Sequence, residues 1–248
     1  MKKKILSLSL ASLVLLSACS WGQEGAKESS TSSSKEVKQE QSSQSSSSSS
    51  SQSEESKDLS SSDGDLAYNG SYYSVKDSQG KDILVVNKRY PLAADYNPGE
   101  DPEAKSAFLE LQAAMRQAGY SVSDSYSGFR DYATQSQLYS DYVARDGQAA
   151  ADRYSARPGH SEHQSGLAFD LIDGSGNLLQ ESKAASWLLQ HASDYGFIVR
   201  YPAGKESVTG YQHEEWHLRY IGHDAPAIAA SGKTLEEYYG FAGGDYKN

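Results

Sequence analysis

Cysteine is nearly absent: Cys19 is the only one in 248 residues. A single thiol forms no internal disulfide, and none remains downstream for redox or thiolate–metal chemistry. A long hydrophobic run is missing too. The stretch from Ile5 to Leu16 is apolar but for small Ser and Ala residues, about as long as a signal-peptide core and too short to cross a bilayer. Positive charge is in deficit, with 23 Lys and Arg against 33 Asp and Glu and a formal net charge of −10. That balance argues against nucleic acid and against charge-driven binding to anionic lipid. Aromatic residues are absent from Ser29 to Asp63, where Ser, Gln, Glu and Lys dominate and Ser45 to Ser51 is unbroken serine. Such a segment cannot bury enough apolar surface to offset the entropy of ordering, so disorder is expected. No internal repeat or second linker divides the chain beyond Asp63.

The N-terminus carries a positive charge cluster, Lys2-Lys3-Lys4, before the apolar run. The run ends in Leu16-Ser17-Ala18-Cys19, which resembles a bacterial lipobox. The expectation is a lipoprotein signal peptide over 1–18, a lipidated Cys19 and a Ser-rich tether over 19–64. Two acyl chains would give the paired membrane signals that stable anchoring needs. As a flexible coil the tether would span roughly 35–40 Å. One domain over 65–248 remains, long enough for a sizeable core.

Its pattern alternates between helix and strand. Ile83 to Val86 reads as a short strand. Asp101-Pro102-Glu103 reads as cap, first-turn proline and acidic first turn, followed by Phe108, Leu111 and Met115 on one helix face and Gly119 at the end. Tyr120 to Tyr126 reads as a strand, and Tyr132 to Arg145 as a helix with Leu138 and Tyr142 facing inward. Leu167, Phe169 and Leu171 alternate with Ala168 and Asp170, the mark of a strand with one buried face. Ser182 is expected to cap a helix carrying Ala185, Leu188, Ala192 and Tyr195, closed by Gly196. Phe197 to Tyr201 and Trp216 to Tyr220 read as strands. The expected fold is α+β, a small, mostly antiparallel sheet flanked by helices with a zinc site on the sheet.

Two blocks carry chemistry: Ser161 to Asp170 (SEHQSGLAFD) and Glu214-Glu215-Trp216-His217. A catalytic zinc site takes three hard or borderline ligands and keeps one position open. His163, Asp170 and His217 supply two imidazoles and a carboxylate. Asp170 lies opposite Phe169 on its strand, and His217 opposite Trp216 and Leu218, so antiparallel neighbours would bring the two polar side chains together. In a regular strand Glu214, three before His217, would face the other way. It is therefore placed in an irregular segment leading into the strand, where it can serve as general base and then as acid to the departing amine.

The spacing of Ser161, His163, Gly166, Ala168 and Asp170, followed by Glu214, Trp216 and His217, resembles VanY-type D-alanyl-D-alanine carboxypeptidases. It is closer still to the LdcB/DacB L,D-carboxypeptidases of Gram-positive bacteria. The run Ser127 to Gln135 (SGFRDYATQ) is similar to the same family's first motif. The resemblance implies one zinc on His163, Asp170 and His217, with Glu214 as the base. It implies that Arg130 stabilises the carbonyl or oxyanion and that Gln135 and Ser161 line the substrate pocket. It also implies peptidoglycan stem peptides as substrate, while the N-terminus points to anchored action outside the cytoplasm, facing the cell wall, and a monomer is expected. Removal of D-alanine from tetrapeptide stems is the expected activity, and DD-cleavage of pentapeptide stems the alternative.

Two rivals use the same residues. His213 to His217 is a literal H-E-x-x-H, the zincin pattern, with Glu236 and Glu237 downstream as third-ligand candidates. That pattern needs both histidines on one helix face, whereas Trp216 to Tyr220 alternates like a strand, and the pattern leaves the block at His163 idle. The other rival is a wall-binding module that kept the fold without catalysis, but such a module would be free to lose Glu214. His160, His191 and His223 are expected to be loop, helix-surface and turn residues rather than ligands.

Overall fold

The structure, a computed structural model, describes residues 66–247. The expected signal peptide, Cys19 and Ser-rich tether lie outside the described residues.

Two antiparallel sheets organise the chain. The first has the order β1 (Ala67–Tyr68), β2 (Tyr73–Lys76), β3 (Asp82–Val85). The second contains β4 (Val122–Ser127), β5 (Ala168–Asp173), β6 (Phe197–Tyr201) and β7 (Glu214–Tyr220), in the order β4-β5-β7-β6. The helices are α1 (Pro102–Gln117), α2 (Tyr132–Asp146), α3 (Gln148–Tyr154), α4 (Ser182–His191), α5 (Glu206–Thr209), α6 (Ala225–Ser231) and α7 (Leu235–Tyr239).

Helix α1 forms as its residues dictate. Asp101 accepts a hydrogen bond from the Ala104 amide, and Pro102 loses no hydrogen bond because a first-turn amide has no partner within the helix. Phe108, Leu111 and Met115 recur on one face and are fully buried. They pack with Leu188 of α4 on one face of the second sheet, where Phe169, Leu171, Phe197 and Leu218 point. Phe108 stacks on Phe169 at 4.9 Å between ring centres. The period-2 alternation then fixes what faces the other way: Asp170, Arg200, His217 and Arg219, all buried. A second apolar cluster joins Val75, Ile83 and Val85 of the first sheet to Ile228, Leu235 and Phe241 near the C-terminus.

Several details differ from expectation. Glu181, not Ser182, caps α4, because its longer carboxylate accepts from the Lys183 and Ala184 amides. Only Gln135 of α2 is fully buried. Leu138 and Tyr142 are half-buried and line a cavity instead of entering the core. Strands β1 and β2 and helices α3, α5, α6 and α7 are too short to show a period in the sequence.

A candidate metal centre on the β5–β7 pair

Asp170 and His217 are directly opposed in the antiparallel register of β5 and β7. His163 reaches them from a 3₁₀ turn, Glu162–Ser165, that precedes β5. Gly166 closes that turn at φ 76°, a left-handed conformation that glycine adopts without strain. His163 Nε2 lies 3.1 Å from Asp170 Oδ2, and His217 Nδ1 lies 3.2 Å from Asp170 Oδ1. The three donor atoms fall within 4.8 Å of one another, all on buried residues.

The remaining ring nitrogens are committed to acceptors. His163 Nδ1 is 2.8 Å from the Gly128 carbonyl, and His217 Nε2 is 3.2 Å from Glu162 Oε2. A carbonyl or carboxylate oxygen can only accept, so both of those nitrogens carry their protons. His163 Nε2 and His217 Nδ1 are left as lone-pair donors aimed at one point with Asp170. Asp170 Oδ1 is buried and makes no hydrogen bond. Two imidazoles and a carboxylate, each histidine oriented by an outer partner, fit a zinc ion.

The electrostatics agree. Burial alone would raise Asp170, but His163 and His217 overcome it and hold the carboxyl well below the usual range. Burial pushes His163 down. Burial also acts downward on His217, yet Asp170 and Glu162 prevail and raise it to about 10. The field that draws a second proton to His217 is one that attracts a cation.

Glu214 is the first residue of β7, not part of a segment before it. The irregularity lies inside the strand: Leu218 pairs with Val199, but Glu214 pairs with Tyr201, so β7 carries extra residues over that interval. This bulge brings Glu214 to the face of His217, with Oε2 3.6 Å from Nδ1. Burial pushes its carboxyl up to about 8.

These groups open on a cavity of about 610 Å³. Arg130, Ser161, Tyr142, Tyr154, Tyr201 and Trp216 form parts of its wall. Arg130 donates to Gln135 Oε1 at 2.8 Å and to Ser127 Oγ at 3.2 Å, which fixes the guanidinium. Burial works against its charge, and Asp170 supports it. Gln135 does not line the cavity as expected. Its carbonyl is taken by Arg130 and its amide donates to the Ala156 carbonyl at 2.6 Å, so it holds Arg130 rather than meeting a ligand. Ser161 does reach the wall, and its Oγ accepts from the His163 amide.

The zincin geometry is absent. His213 is exposed and precedes a strand, with no helix to carry both histidines. Glu236 is paired with Arg200, and Glu237 with Lys205. His160 contacts the Asn87 carbonyl, His191 is tilted against Trp187, and His223 is exposed. Sequence reasoning missed Glu162, Arg200 and Arg219. The available signal was an arginine in each of two strands, inside the otherwise apolar FIVRY and beside Leu218 in EEWHLRY, where a buried cation calls for a counter-charge.

The profile of the VanY family, described as D-alanyl-D-alanine carboxypeptidase, matches residues 99–223. Among solved structures, the LD-carboxypeptidase LdcB is 59% identical, with a TM-score of 0.72, over 75% of this chain and 100% of its own. The L,D-carboxypeptidase DacB of Streptococcus pneumoniae is 62% identical, with a TM-score of 0.72, over 73% of this chain and 98% of its own. A vancomycin-resistance D,D-pentapeptidase VanY, solved with Zn(II), is 33% identical, with a TM-score of 0.55, over 62% and 96%. The chain spans 66% and 56% of the lengths of two curated relatives, the putative carboxypeptidase YodJ of Bacillus subtilis, 34% identical over 63% of this chain, and a D-alanyl-D-alanine carboxypeptidase of Enterococcus faecium, 33% identical over 70%.

Proposed function

The chain belongs to the VanY family of D-alanyl-D-alanine carboxypeptidases, and on that basis we propose that it is a zinc-dependent L,D-carboxypeptidase that removes the C-terminal D-alanine from peptidoglycan tetrapeptide stems. The observation that carries this reading is the convergence of His163 Nε2, Asp170 and His217 Nδ1 beside Glu214, in a cavity walled by Arg130. The preference for L,D-cleavage is supported by 59% and 62% identity to two L,D-carboxypeptidases against 33% to a D,D-enzyme.

In this reading His163, Asp170 and His217 hold the metal. Bound there, zinc supplies a Lewis acid that activates water and polarises the scissile carbonyl. Glu214 accepts a proton from the attacking water as its oxygen joins the carbonyl carbon. It returns that proton to the nitrogen of the departing D-alanine as the C–N bond breaks. Arg130, pinned by Gln135 and Ser127, directs charge at the oxyanion or at the substrate's terminal carboxylate. Ser161 offers a hydroxyl to the bound peptide.

The N-terminal expectations form part of the same proposal. Signal peptide 1–18, lipidated Cys19, tether 19–64 and catalytic domain 65–248 would tie a monomeric enzyme to the outer face of the membrane, within reach of the wall. Among the described residues no helix is long and apolar enough to cross a membrane. The test is incubation of the purified protein with tetrapeptide and pentapeptide muropeptides, read by mass spectrometry. Loss of one alanine from the tetrapeptide is the expected result. Cleavage of the pentapeptide alone would move the assignment to D,D-carboxypeptidase, and no cleavage of either would favour the wall-binding module.

A further inference from the structure

We propose that Glu162 is a positioning residue that fixes the ring and tautomer of His217 so that Nδ1 faces the metal site, with Arg200 and Arg219 as its direct support. The proposal rests on the metal reading of His163, Asp170 and His217. Glu162 is fully enclosed, in the same 3₁₀ turn as His163, so the turn that carries one ligand also orients another. Its two carboxylate oxygens have separate tasks. Oε1 accepts from Arg200 Nε at 2.7 Å and from Arg219 Nη1 at 3.1 Å. Oε2 is left to His217 Nε2 at 3.2 Å.

The support is rigid because each arginine is anchored twice. Arg200, on β6, donates to both oxygens of Glu236, on α7, at 2.9 and 2.6 Å. Arg219, on β7, donates through Nη2 to the Leu84 carbonyl of β3 at 2.7 Å. Asn87 Nδ2 adds a bond to Glu236 Oε1 at 3.3 Å. Glu162, itself buried, therefore cannot turn without breaking charge-assisted bonds.

His217 needs such a guide. The Tyr201 ring packs on it at 4.8 Å between ring centres, tilted by 50°, a contact that holds the ring without telling its nitrogens from its carbons. A half-turn about Cβ–Cγ would put Cδ2 where Nδ1 stands and Cε1 where Nε2 stands, so the metal site and Glu162 would each face a carbon. The flip would take the donor atom away from Asp170 and break the bond to Glu162. A carboxylate fixed opposite Nε2 selects the tautomer with its proton there.

A purely structural ion network predicts something different, and Glu236 separates the two. It shares Arg200 with Glu162 and does not contact His217. The experiment measures zinc affinity of the folded wild type, Glu162→Gln and Glu236→Gln by competition with a chromophoric chelator, alongside thermal melts. Both variants should melt earlier. Glu162→Gln should bind zinc about 10–100-fold more weakly, the usual loss for an outer partner of a metal-binding histidine. Glu236→Gln should stay within a few-fold of wild type. Unchanged affinity in Glu162→Gln, or equal losses in both, would overturn the proposal while leaving the metal reading intact. A wild type that binds no zinc removes the metal reading and this inference with it. If Glu162→Gln does not fold, nitrogen NMR of zinc-loaded wild type with ¹⁵N-labelled histidine decides. A proton on Nε2 and metal ligation through Nδ1 of His217 support the proposal, and ligation through Nε2 overturns it.

Discussion

Replacing Gly166 by alanine perturbs the hinge between His163 and the strand that carries Asp170. Gly166 has φ 76°, and a Cβ placed there would overlap the Gly99 carbonyl oxygen and come within 3.2 Å of the Asp101 amide nitrogen. The neighbour is backbone and cannot rotate away. It is also tied down, since the Asp101 amide donates to the Gly166 carbonyl at 3.0 Å and Asp101 caps α1. A left-handed non-glycine residue costs about 1–2 kcal/mol, and forcing a methyl into a filled site costs about 1–3 kcal/mol more. The sum is roughly 2–5 kcal/mol, and at about 2–4 °C per kcal/mol for a domain of this size Tm should fall by roughly 10 °C. Gly176 is the control, with φ 88° and nothing within 4 Å of an added Cβ. Gly176→Ala carries only the conformational cost, about 1–2 kcal/mol. The strain at Gly166 is relieved by moving the turn, because its amide donates to the His163 carbonyl at 3.2 Å. Zinc affinity should therefore drop at least about tenfold, or about 1.4 kcal/mol, in Gly166→Ala and stay level in Gly176→Ala. Differential scanning fluorimetry and chelator competition measure both quantities. Equal behaviour of the two variants would refute the claim that this glycine holds the ligands in register.

His163→Ala should empty the metal site and His213→Ala should leave it filled, as read by metal analysis of the purified proteins; the reverse pattern would restore the zincin reading. Glu214→Gln should keep its zinc and lose roughly 10²–10⁴-fold in turnover, so activity within a few-fold of wild type would move the base elsewhere. Arg130→Lys should retain zinc but cut kcat/KM on the order of 10²–10³-fold, because an ammonium cannot hold Gln135 and Ser127 and still present a fork to substrate. Amidating the substrate's C-terminus should cripple cleavage by wild type, and unimpaired cleavage would show that no chain end is being read. Asp152 accepts from Arg157 at 2.8 and 3.1 Å and from the Tyr139 hydroxyl at 2.7 Å. Burial raises its pKa, but these partners outweigh it and hold it below 3.8. A depressed carboxyl stabilises fully above its unfolded pKa and loses that contribution as pH falls through the folded one. Asp152→Asn should thus lower Tm near neutral pH, with the gap closing in acid; a gap independent of pH would discount the ion pair.

The parts of the site legible in the sequence are those governed by local rules. Capping and a 3.6 period delineate α1, and alternation in β5 and β7 puts Asp170 and His217 each on the side of its strand away from the apolar core. Glu214 was harder, because a residue three before His217 should face away and only the bulge against Val199 and Tyr201 reverses that. Gln135 stands in a recognisable motif, yet its task depends on the Ala156 carbonyl 21 residues away. Glu162 stands between two motif residues and shows no periodic signal of its own. Its role comes from arginines 38 and 57 residues downstream. Long-range pairing of charges has no period to read.

The order β4-β5-β7-β6 has a consequence for how the site comes into being. The last strand to be synthesised is inserted between two that precede it, and it brings both His217 and Glu214. A chain emerging N-terminus first can form β4 against β5 and present His163 and Asp170, but β6 has no seat until β7 arrives between them. A fragment ending before Glu214 therefore carries two of the three ligands on an open sheet edge and no base. Hydrolytic capacity switches on in one event, the insertion of β7, and not by degrees as the ligands are made. Premature termination or clipping ahead of that strand yields chains that are inert rather than unselective.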